Sequence, residues 1–153
     1  MIIAPTIEQF NIGHIYVYNP VKNNIMEDSR FIRIIYSNEW FVLNAVYLAF
    51  EFNDSLTREP YYNKFKYSFD INSNAKLINN IKTIEGSILK KINLKKTPQY
   101  QISDQLFGGN IKLFGVSLAG QNREFILKIS GIWETETNYG LTYKFINSPS
   151  HKC

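Results

Sequence analysis

Hydrophobic and polar positions alternate most clearly over residues 123–146. Phe125, Leu127, Ile129, Gly131 and Trp133 fall on one side of a first strand, and Leu141, Tyr143 and Phe145 on one side of a second, as a side-chain period of two requires. Lys128 and Lys144 fall on the opposite sides. The pattern predicts a hairpin with one face in the core and a partly basic outer face.

Upstream, residues 14–18 form a short candidate strand. The turn-rich pair Asn19-Pro20 and a polar stretch to residue 30 follow it, so residues 1–30 read as a peripheral segment. Residues 31–36 predict the next strand. Residues 39–52 are apolar on both faces and predict one long central strand, with Trp40, Val42, Val46, Leu48 and Phe50 toward the core and Phe41, Tyr47 and Glu51 outward. Residues 53–60 read as a connection. Residues 61–71 alternate again, with Phe65, Tyr67, Phe69 and Ile71 on one side and Lys64, Lys66, Ser68 and Asp70 on the other.

The period then changes. Leu77, Ile81, Ile84, Ile88 and Ile92 recur at spacings of four, three, four and four, the stripe of an amphipathic helix, with Ser73 or Asn74 as its N-cap. Gly86 weakens this helix by about 1 kcal/mol relative to alanine. Residues 94–110 are polar, end in Gly108-Gly109-Asn110 and read as a long loop. A strand over 111–118 follows, then the hairpin, then a tail over 147–153 without periodicity.

These elements predict one mainly β domain spanning residues 1–153, a β-barrel with one helix. The strand order β-β-β-α-β-β, with an extra N-terminal strand, is that of an OB-fold. That architecture carries its helix between the third and fourth strands and binds oligonucleotides across the second and third.

Composition adds further bounds. At 153 residues the chain has the length of one domain and buries a core without staples. Aromatic residues make up 15%, with 10 Tyr and 11 Phe, which favours strands. The 17 Lys and Arg against 13 Asp and Glu give a net charge of +4 and a pI near 9.1, compatible with a polyanion partner. The single cysteine, Cys153, excludes an intrachain disulfide and a cysteine zinc site and fits a reducing compartment. No signal-peptide pattern opens the chain, and its longest apolar run is far shorter than the ~20 residues that cross a bilayer. The expectation is an intracellular protein, neither secreted nor membrane-embedded.

Candidate catalytic chemistry is sparse. His14 and His151 are the only histidines and stand in no metal-ligand spacing. Phosphate-binding loops, dinucleotide fingerprints and nucleophile elbows are absent. Glu134 and Glu136 read as exposed turn residues. No enzyme activity, metal or cofactor is expected.

What remains is a distribution of lysines and aromatics. Phe41, Tyr47 and Tyr62 beside Lys64 and Lys66, extended by Lys112, Lys128 and Lys144 if the barrel closes, place rings and ammonium groups on one surface. Single-stranded nucleic acid is bound by such a surface, since bases stack on rings and lysines neutralise phosphates. The plainer reading is that wet strand faces carry lysine for solubility and edge protection. Likewise Lys90, Lys91, Lys95 and Lys96 complement the dipole at a helix C-terminus.

The hairpin words Leu127-Lys128-Ile129-Ser130-Gly131-Ile132-Trp133-Glu134 and Tyr139-Gly140-Leu141-Thr142-Tyr143-Lys144-Phe145 resemble a C-terminal signature of OB-fold single-stranded DNA-binding proteins from large DNA viruses, phages and virus-derived elements. The resemblance covers the last sixth of the chain. It implies a protein that coats single-stranded DNA with little sequence preference in replication or recombination. Single-stranded DNA and replication proteins would then be its partners, in the host nucleus or cytoplasm. Proteins of this kind often end in an acidic recruiting tail, whereas this chain ends Ser148-Pro149-Ser150-His151-Lys152-Cys153. The alternative is a viral structural or interaction module that assembles through strand edges as a homo-oligomer.

Overall fold

The computed structural model describes residues 5–18, 21–22, 29–53, 56–114 and 124–147, with the backbone alone at 21–22 and 114. The strands are β1 (Ile15–Val17), β2 (Val21–Lys22), β3 (Arg30–Ser37), β4 (Val42–Leu43), β5 (Val46–Glu51), β6 (Thr57–Tyr61), β7 (Lys64–Ser68), β8 (Thr97–Gln99), β9 (Asn110–Phe114), β10 (Glu124–Glu134) and β11 (Asn138–Asn147). Helix α1 (Ala75–Ile92) follows β7, and the short α2 (Gln101–Phe107) follows β8.

The chain is mainly β, with a curled half-barrel sheet and one main helix. The strand order differs in detail from the one expected. Instead of a single barrel, β6, β7 and β9 form a separate antiparallel sheet, and the remaining eight strands form the larger one. The expected N-terminal strand is present as β1, which pairs with β3.

β10 organises the large sheet. One edge pairs with β11 along its whole length; the other pairs with β5 through residues 124–129 and with β3 through residues 131–134. The changeover coincides with a register shift at Ser130, between Ile129 and Gly131. An extra residue in a strand bends it and reverses which side chains face inward. Phe125, Leu127 and Ile129 therefore face the core before the shift, and Ile132 after it. Trp133, expected on the core side, turns to the opposite face, half-buried. Its indole lies across Gly140, where an added Cβ would meet ring atoms at 2.8 Å. Gly131 is tighter still: a Cβ there would strike the Ile32 carbonyl oxygen and the Phe31 ring.

The expected long strand over 39–52 is interrupted. The Asn38 side-chain oxygen accepts from the backbone N–H of Trp40 at 2.8 Å and of Phe41 at 3.1 Å, and such a turn competes with extended pairing. β4 folds back on β3, the chain bends at Asn44 and Ala45, and β5 leaves to join β10. Val46, Leu48 and Phe50 face the core as expected, but Trp40 is 80% exposed and Val42 66%.

Two segments expected to be irregular are structured. Within 53–60, β6 pairs with β7 through a turn at Tyr62, whose φ of 55° is left-handed. Pro60 is tolerated because β6 stands at the edge of its sheet among the described residues. Within 94–110, β8 runs parallel to β11 and α2 follows it.

An aromatic cluster joins the two sheets. Tyr67 of β7 meets Phe125 of β10 edge-on at 5.1 Å, Phe52 stacks on Phe69 at 4.4 Å, and Phe52 meets Phe125 at 5.5 Å. Pairs of this kind add about 0.5–1.5 kcal/mol each beyond area burial. Helix α1 buries Ile78, Ile81, Ile84, Ile88 and Leu89 and ends at Asn93, left-handed at φ 49°. Asn74 holds the N-cap position without capping; its side chain laces the Asn53 backbone and the Asp70 carbonyl. The expected tail lies outside the described residues beyond Asn147, as does the expected strand over 111–118 beyond Phe114.

Two glycines test this packing with opposite signs. Gly86→Ala meets the Tyr100 ring at an ordinary 3.5 Å and should stabilise the fold by about 0.5–1 kcal/mol. Gly131→Ala meets backbone that cannot yield and should destabilise it by roughly 1–3 kcal/mol. Urea denaturation of both variants reads the difference.

Candidate nucleic-acid interface

Registry decides which expected residues share a surface. In the large sheet, Tyr47, Lys128 and Lys144 form one rung across β5, β10 and β11. The Lys128 ammonium stands 5.7 Å from the Tyr47 ring centroid. In the small sheet, Glu59, Lys66 and Lys112 form one rung across β6, β7 and β9, and Lys66 reaches Glu59 at a loose 3.8 Å. These lysines occupy the faces opposite the core because their strand neighbours Tyr67, Ile111, Leu127 and Phe145 are buried.

The two rungs meet at a cleft. β8 covers only residues 138–140 on its side of β11, and farther along β11 a cleft of about 340 Å³ is lined by Lys64, Lys112, Lys144, Gln105 and Tyr143 among others. None of the described residues lining it is acidic. Lys112 also caps the Tyr61 ring at 4.4 Å, and Tyr61 meets Tyr62 edge-on at 4.9 Å. Tyr62 itself is 91% exposed at the tip of the β6–β7 turn.

Seven of the eight expected residues therefore lie on the two rungs, in the cleft or on the turn beside it. Phe41 does not: it packs, half-buried, against the hydrophobic core. Three further residues contribute that the sequence pattern does not single out: Tyr61 at the start of a predicted strand, Tyr143 on a predicted core face and Gln105 in the predicted loop. The spacing of four between Ile102 and Leu106, both buried, is the available signal for α2.

The wall carrying Gln105 is held by a buried carboxylate. Glu85 of α1, fully buried, accepts from the N–H of Ile102 and of Ser103, each at 2.9 Å, and from the Ser103 hydroxyl at 2.5 Å. It thus caps the first turn of α2 from another helix, satisfying N–H groups that lack intrahelical acceptors. Burial pushes the Glu85 carboxyl above its ordinary value of 4.5, against the pull of those hydrogen bonds. The Tyr143 hydroxyl donates to Gln105 Oε1 at 2.6 Å. Burial, with the nearby charges of Glu85 and Asp104, pushes that hydroxyl up to about 12.

Glu134 corrects an expectation, since it is buried rather than an exposed turn residue. Arg30 Nε donates to it at 2.7 Å from the directly opposite strand position, and Lys96 Nζ at 2.8 Å. Burial raises its carboxyl, but hydrogen bonds from Lys96 and Arg30 and their charges outweigh that and hold it below 4.5. Glu136 is exposed. Of the four lysines in the last turn of α1 and just after it, Lys96 serves this pair and Lys91 donates to the Ile12 carbonyl at 2.9 Å. Among the described residues no three His, Cys, Asp or Glu side chains gather to hold a metal, and no helix is long and apolar enough to cross a membrane.

The two buried glutamates predict opposite pH limbs. The Glu85 contribution is complete below the ordinary carboxylate value and is lost as pH rises through its higher folded value. The Glu134 contribution is present above the ordinary value and is lost as pH falls through its lower one. In melting curves across pH, Glu85→Gln should flatten the decline above pH 4.5 and Glu134→Gln the decline below it.

No protein-family model, no curated protein and no solved structure matches the chain.

Proposed function

We propose that the chain is a non-catalytic, OB-like protein that binds single-stranded nucleic acid, DNA foremost, with little sequence preference. The observation that carries this reading is the convergence of Lys64, Lys112 and Lys144, from three strands of two sheets, on one cleft beside an exposed tyrosine pair. Three ammonium groups in a concave site raise the local potential and attract a phosphate backbone. Tyr62 offers an open ring face for a base, worth about 1–3 kcal/mol. Replication or recombination, in a viral setting, is the process such coating serves. Assembly through strand edges has less support: β6 carries Arg58, Glu59 and Pro60, the devices that keep an edge from pairing with another chain.

The test is fluorescence anisotropy on a labelled oligo-dT across a salt series, with matched duplex as competitor. The expected result is binding that duplex does not displace. Neutralising Lys64, Lys112 and Lys144 to Gln should flatten the slope of log affinity against log salt by about 2, from roughly 0.7 per phosphate contact on a single strand. An unchanged slope would remove the cleft from the binding surface.

A further inference from the structure

A second concave surface lies apart from those lysines. His14, Tyr16, Ser37, Asn38, Glu39 and Trp40 line an open cleft of about 470 Å³ where β1 meets the β3–β4 turn. This is within the roughly 300–1,000 Å³ range of small-molecule sites. Trp40 is 80% exposed and Tyr16 56%. The indole is not on a slack loop, because both N–H groups held by Asn38 fix the turn that presents it. A large ring presented to water on a fixed backbone turn gains little for folding, and a planar guest would bury it.

Charge narrows the guest. Tyr16 is shared with an adjoining cleft that Lys91 lines; the Lys91 ammonium, tethered by the Ile12 carbonyl, stands 5.9 Å from the Tyr16 ring centroid. A resident cation beside the ring repels an ammonium guest and attracts one that carries phosphate. In the Trp40 cleft itself the exposed Glu39 carboxylate offers only acceptors. It favours a base with an exocyclic amine over thymine, whose corresponding edge presents a carbonyl. Ring, amine edge and phosphate together describe a nucleotide.

We propose that this cleft takes one unpaired, amine-bearing base of a single-stranded nucleic acid, stacked on Trp40 with its phosphate toward Lys91. The inference rests on the nucleic-acid reading above and adds to it a second contact, built on stacking rather than on converging lysines.

Trp40 supplies its own probe. The other tryptophan, Trp133, is half-buried and donates to Gln101 at 3.1 Å, so a base stacking on Trp40 should quench the more exposed part of the emission. Unlabelled oligo-dA is titrated at low salt into the wild-type chain, Trp40→Phe and Trp40→Ala, with oligo-dT in parallel, while anisotropy on labelled oligo-dA reports total binding. Saturable quenching by oligo-dA, weaker with oligo-dT and absent from Trp40→Phe, is expected. An affinity for oligo-dA about tenfold lower in Trp40→Ala should accompany it. Quenching that persists in Trp40→Phe, or anisotropy binding without quenching, would overturn the inference and leave the lysine cleft standing. Equal quenching by oligo-dT would overturn the choice of base. Quenching that survives neutralisation of the cleft lysines, with an unchanged salt slope, would instead sink the lysine-cleft reading and keep this one. Absence of both signals would overturn the two together.

Discussion

One edge of β10 is shared between two strands, and the rest of the molecule is arranged around that division. β5 takes the first half of the edge and β3 the second, with the extra residue Ser130 at the boundary. A continuous strand cannot serve two differently inclined neighbours on one side without bending. The bulge supplies the bend, and Gly131 supplies the room, since any side chain there would collide with the Ile32 backbone. The curl of the large sheet follows from it. So does the placing of the candidate interface residues: Lys128 precedes the bulge and points outward with Tyr47 and Lys144, while Trp133 follows it and has exchanged faces.

The second dependence is of the small sheet and α2 on buried contacts that come from far along the chain. Aromatic rings from β7, β10 and the segments after β5 and β7 lock the two sheets at centroid separations between 4.4 and 5.5 Å, which fixes where β9 sits relative to β11. Glu85 fixes α2 in the same region. A buried carboxylate is costly to desolvate, and three donors at one helix N-terminus offset part of that cost. The wall of the lysine cleft is therefore held by polar interactions on the α2 side and by ring packing on the β7 side. Movement of either would part lysines that belong to different sheets.

This explains how much was legible in the sequence. Alternation in β7, β10 and β11 and the isoleucine stripe of α1 are local signals, and the strands and helix they predict are present. The phase reversal at Ser130 is not local. Ser130-Gly131 looks like two more positions of a period-two pattern, and only the competition of β3 and β5 for one edge reveals the bulge. The break in 39–52 was hidden for a related reason, because the apolar content of Trp40 and Val42 outweighed a turn made by a single Asn38 side chain. β6 and α2 were missed because their stability comes from partners: β7 for the first, Glu85 at a sequence distance of 17 for the second. Residue types for the candidate site could be chosen from the sequence, but the meeting of Lys64, Lys112 and Lys144 could not, since it depends on the joint between the sheets.

The cations divide by what holds them. Arg30 and Lys96 are held by Glu134, a buried carboxylate that would be left uncompensated in the interior without them, and such pairs are costly to break. Lys112 and Lys128 are turned over tyrosine rings instead. A ring face holds an exposed ammonium by only about 0.5–1 kcal/mol, enough to orient it and too little to keep it from a phosphate. Were a phosphate to draw the lysine away, as the proposed function requires, the ring it covered would be released for a base. A lysine resting on a tyrosine is thus a pair of latent contacts, one for each half of a nucleotide. This is a stronger physical ground for nucleic-acid binding than a net charge of +4, because it depends on where the charge is held and how loosely.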